Sequence, residues 1–124
     1  MIDFENAKLA KLRPVSINSF KKAVSPLLAC DEEVVAAFQG IRDGAIFTNK
    51  RLIVVNVQGI TGMKKDFTSL PYKRVQAFSV ETAGFMDIDC ELILWFSGLG
   101  QVNIEFLSCT DIAAICRIIS ERAL

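Results

Sequence analysis

Phe47-Thr48-Asn49-Lys50-Arg51-Leu52-Ile53-Val54-Val55 sets two apolar runs on either side of a polar corner, and farther on Glu81-Thr82-Ala83-Gly84 closes another such run. Ala45 to Thr48 and Leu52 to Val57 are rich in aromatic and β-branched side chains, which suits a pleated, half-buried surface, and Asn49-Lys50 supplies the turn between them. Working outward, Val34, Ala36 and Phe38 share one face of an earlier strand, and Gly40-Ile41-Arg42-Asp43-Gly44 is the short connection that follows it. Gln58-Gly59-Ile60-Thr61-Gly62 marks the next turn. Lys64 to Leu70 and Tyr72 to Thr82 then read as strands on either side of Pro71. Ile88, Cys90, Leu92, Leu94 and Phe96 alternate without interruption, and Val102, Ile104 and Phe106 repeat the pattern after Gly98-Leu99-Gly100. Seven short antiparallel strands between about Glu33 and Leu107 are expected.

The period changes at both ends. After Thr110, a good N-cap, Ile112, Ile115, Cys116, Ile119 and Ala123 share one face of a helix expected from Asp111 to Arg122. Upstream, Ile17, Phe20, Val24 and Leu27-Leu28 recur at helical spacing behind Ser16, so Ile17 to Ala29 is expected to be an amphipathic helix disturbed near Pro26. A weaker helix is expected from Glu5 to Leu12, with Pro14 between the two. The fold class is therefore mainly β, a seven-stranded antiparallel barrel or sandwich whose open end is plugged by a C-terminal helix. Residues 1–30 form an N-terminal helical extension and residues 31–124 the barrel domain.

Composition removes several function classes. A chain of 124 residues holds one autonomous core. It lacks the ~18–20 uninterrupted apolar residues of a spanning helix, and its start lacks the basic and apolar regions of a secretory signal, so a cytoplasmic location is expected. Lys plus Arg and Asp plus Glu stand at 14 each, leaving no net field to draw in nucleic acid. Cys30, Cys90, Cys109 and Cys116 lie singly in apolar segments and are expected to be reduced, buried thiols. The only close cysteine pair, Cys109 and Cys116, is separated by six residues and there is no histidine to complete a site, so zinc is not expected; the commonest general base is missing too, and no cofactor is expected. Asp87, Asp89 and Glu91 fall on one strand face, read as a solvated surface opposite Ile88, Cys90 and Leu92. The glycines at 59, 62, 98 and 100 lack the helix start and Lys-Ser/Thr ending of a phosphate cradle and are turn residues.

Ile41-Arg42-Asp43, Phe47-Thr48-Asn49-Lys50-Arg51-Leu52-Ile53, Gln58-Gly59-Ile60-Thr61-Gly62, Pro71-Tyr72-Lys73, Phe78-Ser79-Val80-Glu81-Thr82-Ala83-Gly84 and Asp87-Ile88-Asp89-Cys90-Glu91-Leu92 together resemble the bacterial pleckstrin-homology (PH) domain family, from about Leu28 to the C-terminus. Asn56 and Cys30 depart from it, standing where the family often has an acidic residue and a glycine. The resemblance implies a small cytoplasmic bacterial protein that is not an enzyme, with N-terminal helices added to the barrel and assembly into ring-like homo-oligomers.

Two sets of residues are candidates for function. Specific phosphoinositide binding is not expected: it needs several cations converging at the mouth between the first two strands, where Arg42 stands alone beside Asp43 and the pairs Lys50-Arg51 and Lys64-Lys65 belong to other turns. Arg42, Asp43, Lys50, Arg51 and Glu81 therefore form a candidate charge patch, read either as strand-end charges satisfying one another or as a recognition surface. The second set is Ile93 and Trp95, which point away from the core face of their strand. Leu52 to Val57 is also nearly all apolar on both faces. Either the chain's own N-terminal helix or a neighbouring subunit covers such surfaces, and a cyclic homo-oligomer is the expected assembly, another protein being a further partner. The alternative function is a membrane-surface or phospholipid headgroup-binding adaptor.

Overall fold

Asn49-Lys50 is the corner of a hairpin between β3 (Asp43–Thr48) and β4 (Arg51–Gln58), with Phe47 opposite Leu52 and Asp43 opposite Asn56. In this computed structural model the described residues are 1–5, 8–58, 64–82, 89–107 and 112–124. β2 (Val34–Gln39) pairs with β3, and β5 (Lys64–Pro71) pairs with β4. β6 (Val75–Thr82), β7 (Cys90–Phe96) and β8 (Gly100–Phe106) form a second antiparallel meander. All seven expected strands are present. The one expected from Tyr72 begins at Val75 because Tyr72–Arg74 forms a 3-10 turn. The β7–β8 turn depends on Gly98 and Gly100, at φ +82° and +98°, a region that side chains with a Cβ rarely enter. Gly59, Gly62, Ala83, Gly84, Asp87, Ile88, Cys109, Thr110 and Asp111 lie outside the described residues.

The helix expected from Glu5 to Leu12 is not formed: Leu9–Val15 is instead an extra strand, β1. It lies between β2, antiparallel, and β8, parallel, and joins the two meanders into one eight-stranded sheet of order β5-β4-β3-β2-β1-β8-β7-β6. The cause of the misreading is a bulge. Leu9 pairs with Ile104 and Leu12 with Phe106, so β1 carries one residue more than its neighbour over that stretch, and Lys11 takes φ 55°. Two core-facing leucines thereby stand three residues apart, the spacing of a helix. Glu105 Oε1 accepts the Lys11 N–H displaced from the ladder, at 3.3 Å.

The helical segment after Ser16 is present in broken form, as a 3-10 turn Ile17–Phe20, the short helix α1 (Lys21–Val24) and a second 3-10 turn Ser25–Leu27 containing Pro26. The Ser16 hydroxyl caps it by accepting the Asn18 N–H. Val24 is fully buried and, with Phe20 and Leu28, covers Ile46, Ile53 and Val55 on the outer face of β3–β4. This accounts for the second apolar face of Leu52 to Val57. Gly44 allows the approach, since a Cβ there would lie 2.9 Å from Phe20 Cζ.

The principal core fills the concave side of the sheet. Phe38 packs edge-on to Phe47 and Phe106, with ring centroids 5.8 and 4.7 Å away. The C-terminal helix α2 (Ile112–Ala123) closes it, burying Ile115 and Ile119 while Ile112, Cys116 and Ala123 pack at its margin. Of the thiols, Cys90 is buried and Cys116 half-buried, but Cys30 is exposed, contrary to expectation, because it lies in the solvent-facing turn before β2.

Candidate interaction surfaces

The Thr48-Asn49-Lys50-Arg51 corner is a hub of hydrogen bonds. The Thr48 hydroxyl accepts the N–H groups of Lys50 and Arg51 at 3.0 and 2.9 Å and donates to Glu32 Oε2 at 2.6 Å. Arg51 clamps the same carboxylate with both prongs, Nε to Oε2 at 2.8 Å and Nη2 to Oε1 at 2.9 Å. Its remaining donors reach the Leu27 carbonyl and the Ser69 hydroxyl. The Glu32 side chain is only 1% exposed. Burial pushes its carboxyl pKa up, but the hydrogen bonds from Arg51, Thr48 and the Ala29 N–H, with the Arg51 charge, outweigh that and hold it below the ordinary glutamate range. Tyr72 donates to the Thr48 carbonyl at 2.7 Å, and burial, then the Glu32 charge, raise its phenol pKa. Asn49 ties the approach to β2 by accepting the Glu33 N–H and donating to the Asp31 carbonyl.

The five residues of the candidate charge patch are not gathered together. Lys50 and Arg51 share the hub, where Lys50 Nζ pairs with Asp31 at 2.7 Å. Arg42 and Asp43 lie at the other end of β3, roughly 20 Å away for a six-residue strand. Asp43 accepts a hydrogen bond from Asn56 at 2.6 Å, so the amide that departs from the family pattern is used across the hairpin. Glu81 is exposed on β6, opposite Glu91, which is in turn opposite Glu105 on β8. Lys8 bridges the last two, 3.2 Å from Glu91 and 3.6 Å from Glu105. The sequence did not single out Glu32, Thr48 or Tyr72; nothing in their spacing ties Glu32 to an arginine 19 residues later.

Ile93 and Trp95 lie on the convex face of β7, opposite the buried Leu92, Leu94 and Phe96. Trp95 is 46% exposed, with Ala77 and Gln101 as its cross-strand neighbours, while Ile93 is half-buried between Ser79 and Asn103. A cleft of about 440 Å³ runs beside the indole, lined by Phe4, Lys8, Leu99 and Asn103. Phe4, Glu5 and Lys8 of the N-terminal segment thus line the same cleft as Trp95. β6, next to this face, pairs with β7 on one side and with no strand on the other among the described residues.

The family described as "Bacterial PH domain" matches residues 3–123. "Uncharacterized protein YjqA" of Bacillus subtilis (strain 168) is 40% identical over 119 residues, covering 94% of this chain and 95% of its own. "Uncharacterized protein YozO" of the same strain is 28% identical, covering 86% and 92%. Among solved structures, a DUF1696 family protein with a pleckstrin-homology domain from Shewanella loihica PV-4 superposes with a TM-score of 0.78 at 37% identity, covering 93% of this chain and 99% of that one. The pleckstrin homology domain from Shewanella amazonensis SB2B gives a TM-score of 0.63 at 39% identity, covering 96% and 93%. The two solved structures are pleckstrin-homology domain proteins whose fold this chain shares, and all four matches extend over at least 86% of it. With β2 to β8 and α2 forming that architecture around the concave core, the chain belongs to the bacterial PH domain family.

Proposed function

We propose that the protein is a non-enzymatic cytoplasmic interaction module that self-assembles into a ring-like homo-oligomer through the convex face of β6–β8. The observation that carries this reading is Trp95, 46% exposed on a strand whose other face is fully buried, beside Ile93 and near β6, which has no second strand neighbour among the described residues. The chain's helical segment covers the convex face of β3–β4, and no element of comparable size among the described residues covers this one. A patch that meets a different patch on the next copy generates a ring when the rotation closes, and a formal net charge of zero removes long-range repulsion between copies. The absence of histidine from the sequence and the PH-domain relatives support a binding role rather than a catalytic one. No helix among the described residues is long and apolar enough to cross a membrane.

Trp95→Ala is the test. Tryptophan truncation at the centre of an interface costs about 2 kcal/mol or more, so the mass seen by light scattering should shift towards monomer while the β-rich circular dichroism is retained. A parent protein that is monomeric at micromolar concentration would remove the reading.

A further inference from the structure

At the end of the barrel that holds the Arg51 hub lies a groove of about 480 Å³. Leu27, Leu28 and Pro71 give it an apolar wall, and Leu27 is 45% exposed. Its charged lining comes from several elements: Arg51 and Glu32, Lys50 from the hairpin, Lys73 from the turn between β5 and β6, and Arg122 from the last turn of α2.

These charges are not equivalent. Arg51 is consumed by Glu32, Leu27 and Ser69, and Lys50 by Asp31. Lys73 and Arg122 are exposed, and neither forms an ion pair with a described residue. Arg122 lies close enough to Asp31 to add slightly to the lowering of its pKa, which is set first by the Lys50 hydrogen bond. Two exposed cations, held by separate elements and engaged in no ion pair among the described residues, therefore overlook an open apolar wall.

We propose that this groove binds an acidic segment of a partner protein through one large apolar anchor residue. The anchor packs between Leu27, Leu28 and Pro71, and carboxylates flanking it in the partner's sequence meet Lys73 and Arg122. Charge complementarity selects the class of occupant: a purely apolar ligand would desolvate both cations without return, and a purely polar anion would leave the leucine wall in water. The volume lies within the roughly 300–1,000 Å³ of small binding sites, room for one or two large side chains rather than a helix face. The groove is formed by residues other than those of the Trp95 face, so this inference stands or falls separately from self-assembly.

The probe is a fluorescein-labelled, end-capped octapeptide, Gly-Asp-Glu-Leu-Phe-Glu-Asp-Gly, titrated with the full chain at low salt and read by fluorescence anisotropy. Two controls replace its acids by amides or its Leu-Phe by Ser-Ser. Saturable binding is expected, with both controls weaker by about tenfold or more. Lys73→Glu combined with Arg122→Glu should weaken the acidic peptide by about tenfold or more at unchanged circular dichroism. Lys64→Glu combined with Lys65→Glu, on the exposed start of β5, should not, and Trp95→Ala should leave peptide affinity intact. A flat titration, equal binding of the Ser-Ser control, or indifference to the Lys73/Arg122 reversal would each overturn the proposal. So would a reversal that lowers the oligomer mass instead of the peptide affinity, which would make the groove a contact between copies.

Discussion

Arg51 is a charged residue in a strand-rich signature that acts inward rather than outward. Its guanidinium meets the Glu32 carboxylate in a two-pronged pair, and Glu32 is also bonded by Thr48 and the Ala29 N–H. Removing one member leaves the other charge buried without compensation, which is the expensive way to break an ion pair. Arg51→Leu is therefore expected to lower stability by about 3–5 kcal/mol in urea unfolding, whereas reversal of the exposed Lys73 and Arg122 should change it little. The pair also sets a pH dependence. Because the folded state holds the Glu32 carboxyl below its ordinary range, the ionised group contributes stability above the unfolded pKa, and that contribution is lost as pH falls through the lower folded value. Acid titration of the unfolding free energy should show this loss in the parent. Glu32→Gln, less stable at neutral pH, should show a shallower acid limb; an unchanged limb would mean that other carboxylates govern it. Asp31 and Asp66 shift in the same direction, Asp31 first through Lys50 and Asp66 first through the Met1 ammonium group; Asp31 is exposed and Asp66 half-buried against an exposed partner, so each contributes less than the buried Glu32.

At the scale of elements, β1 shows where local pattern and tertiary structure part. Strands with strict alternation, such as Cys90 to Phe96, were legible because each inward residue meets the core and each outward one does not. The α2 stripe was legible for the corresponding reason at period 3.6. β1 was not, because its bulge at Lys11 spaces Leu9 and Leu12 as a helix would, and only the neighbouring β8 shows that the extra residue is absorbed by the backbone. The same limit applied to the candidate surfaces. Trp95 was legible as an outward side chain from alternation alone, while the groove of Leu27, Lys73 and Arg122 joins segments brought together by β5 and α2, which no spacing in the chain records. The bulge carries its own prediction. A left-handed conformation costs an L-residue about 1–2 kcal/mol and a β-branched one more, whereas glycine adopts it freely. Lys11→Val should therefore destabilise by at least about 1 kcal/mol, and Lys11→Gly should be neutral or slightly stabilising after its larger unfolded-state entropy is counted. The two variants differ at an exposed side chain, so equal melting temperatures would place the strain elsewhere.

The whole molecule is asymmetric in how it covers its sheet. Joining the two meanders through β1 leaves β5 and β6 as the edges of one curled sheet, and the concave side is closed by α2. On the convex side, Phe20, Val24 and Leu28 cover β3–β4, while the β6–β8 half keeps Trp95 at its surface near β6, which has a strand neighbour on one side only among the described residues. Trp95 is the sole tryptophan of the chain, so the proposed assembly carries its own reporter. Covering the indole removes water from its surroundings, and its emission should move to shorter wavelength as protein concentration rises through the assembly range, then return on dilution. Ile93→Lys places a charge on the same face without removing the fluorophore, and desolvating that unpaired ammonium at an interface costs several kcal/mol. Its emission should therefore stay at the long-wavelength position across the same range, with light scattering reporting the smaller species. Emission that is independent of concentration, while light scattering shows the parent's mass to rise, would mean that the copies meet through another surface and that the exposed face of β7 is free in the assembled protein.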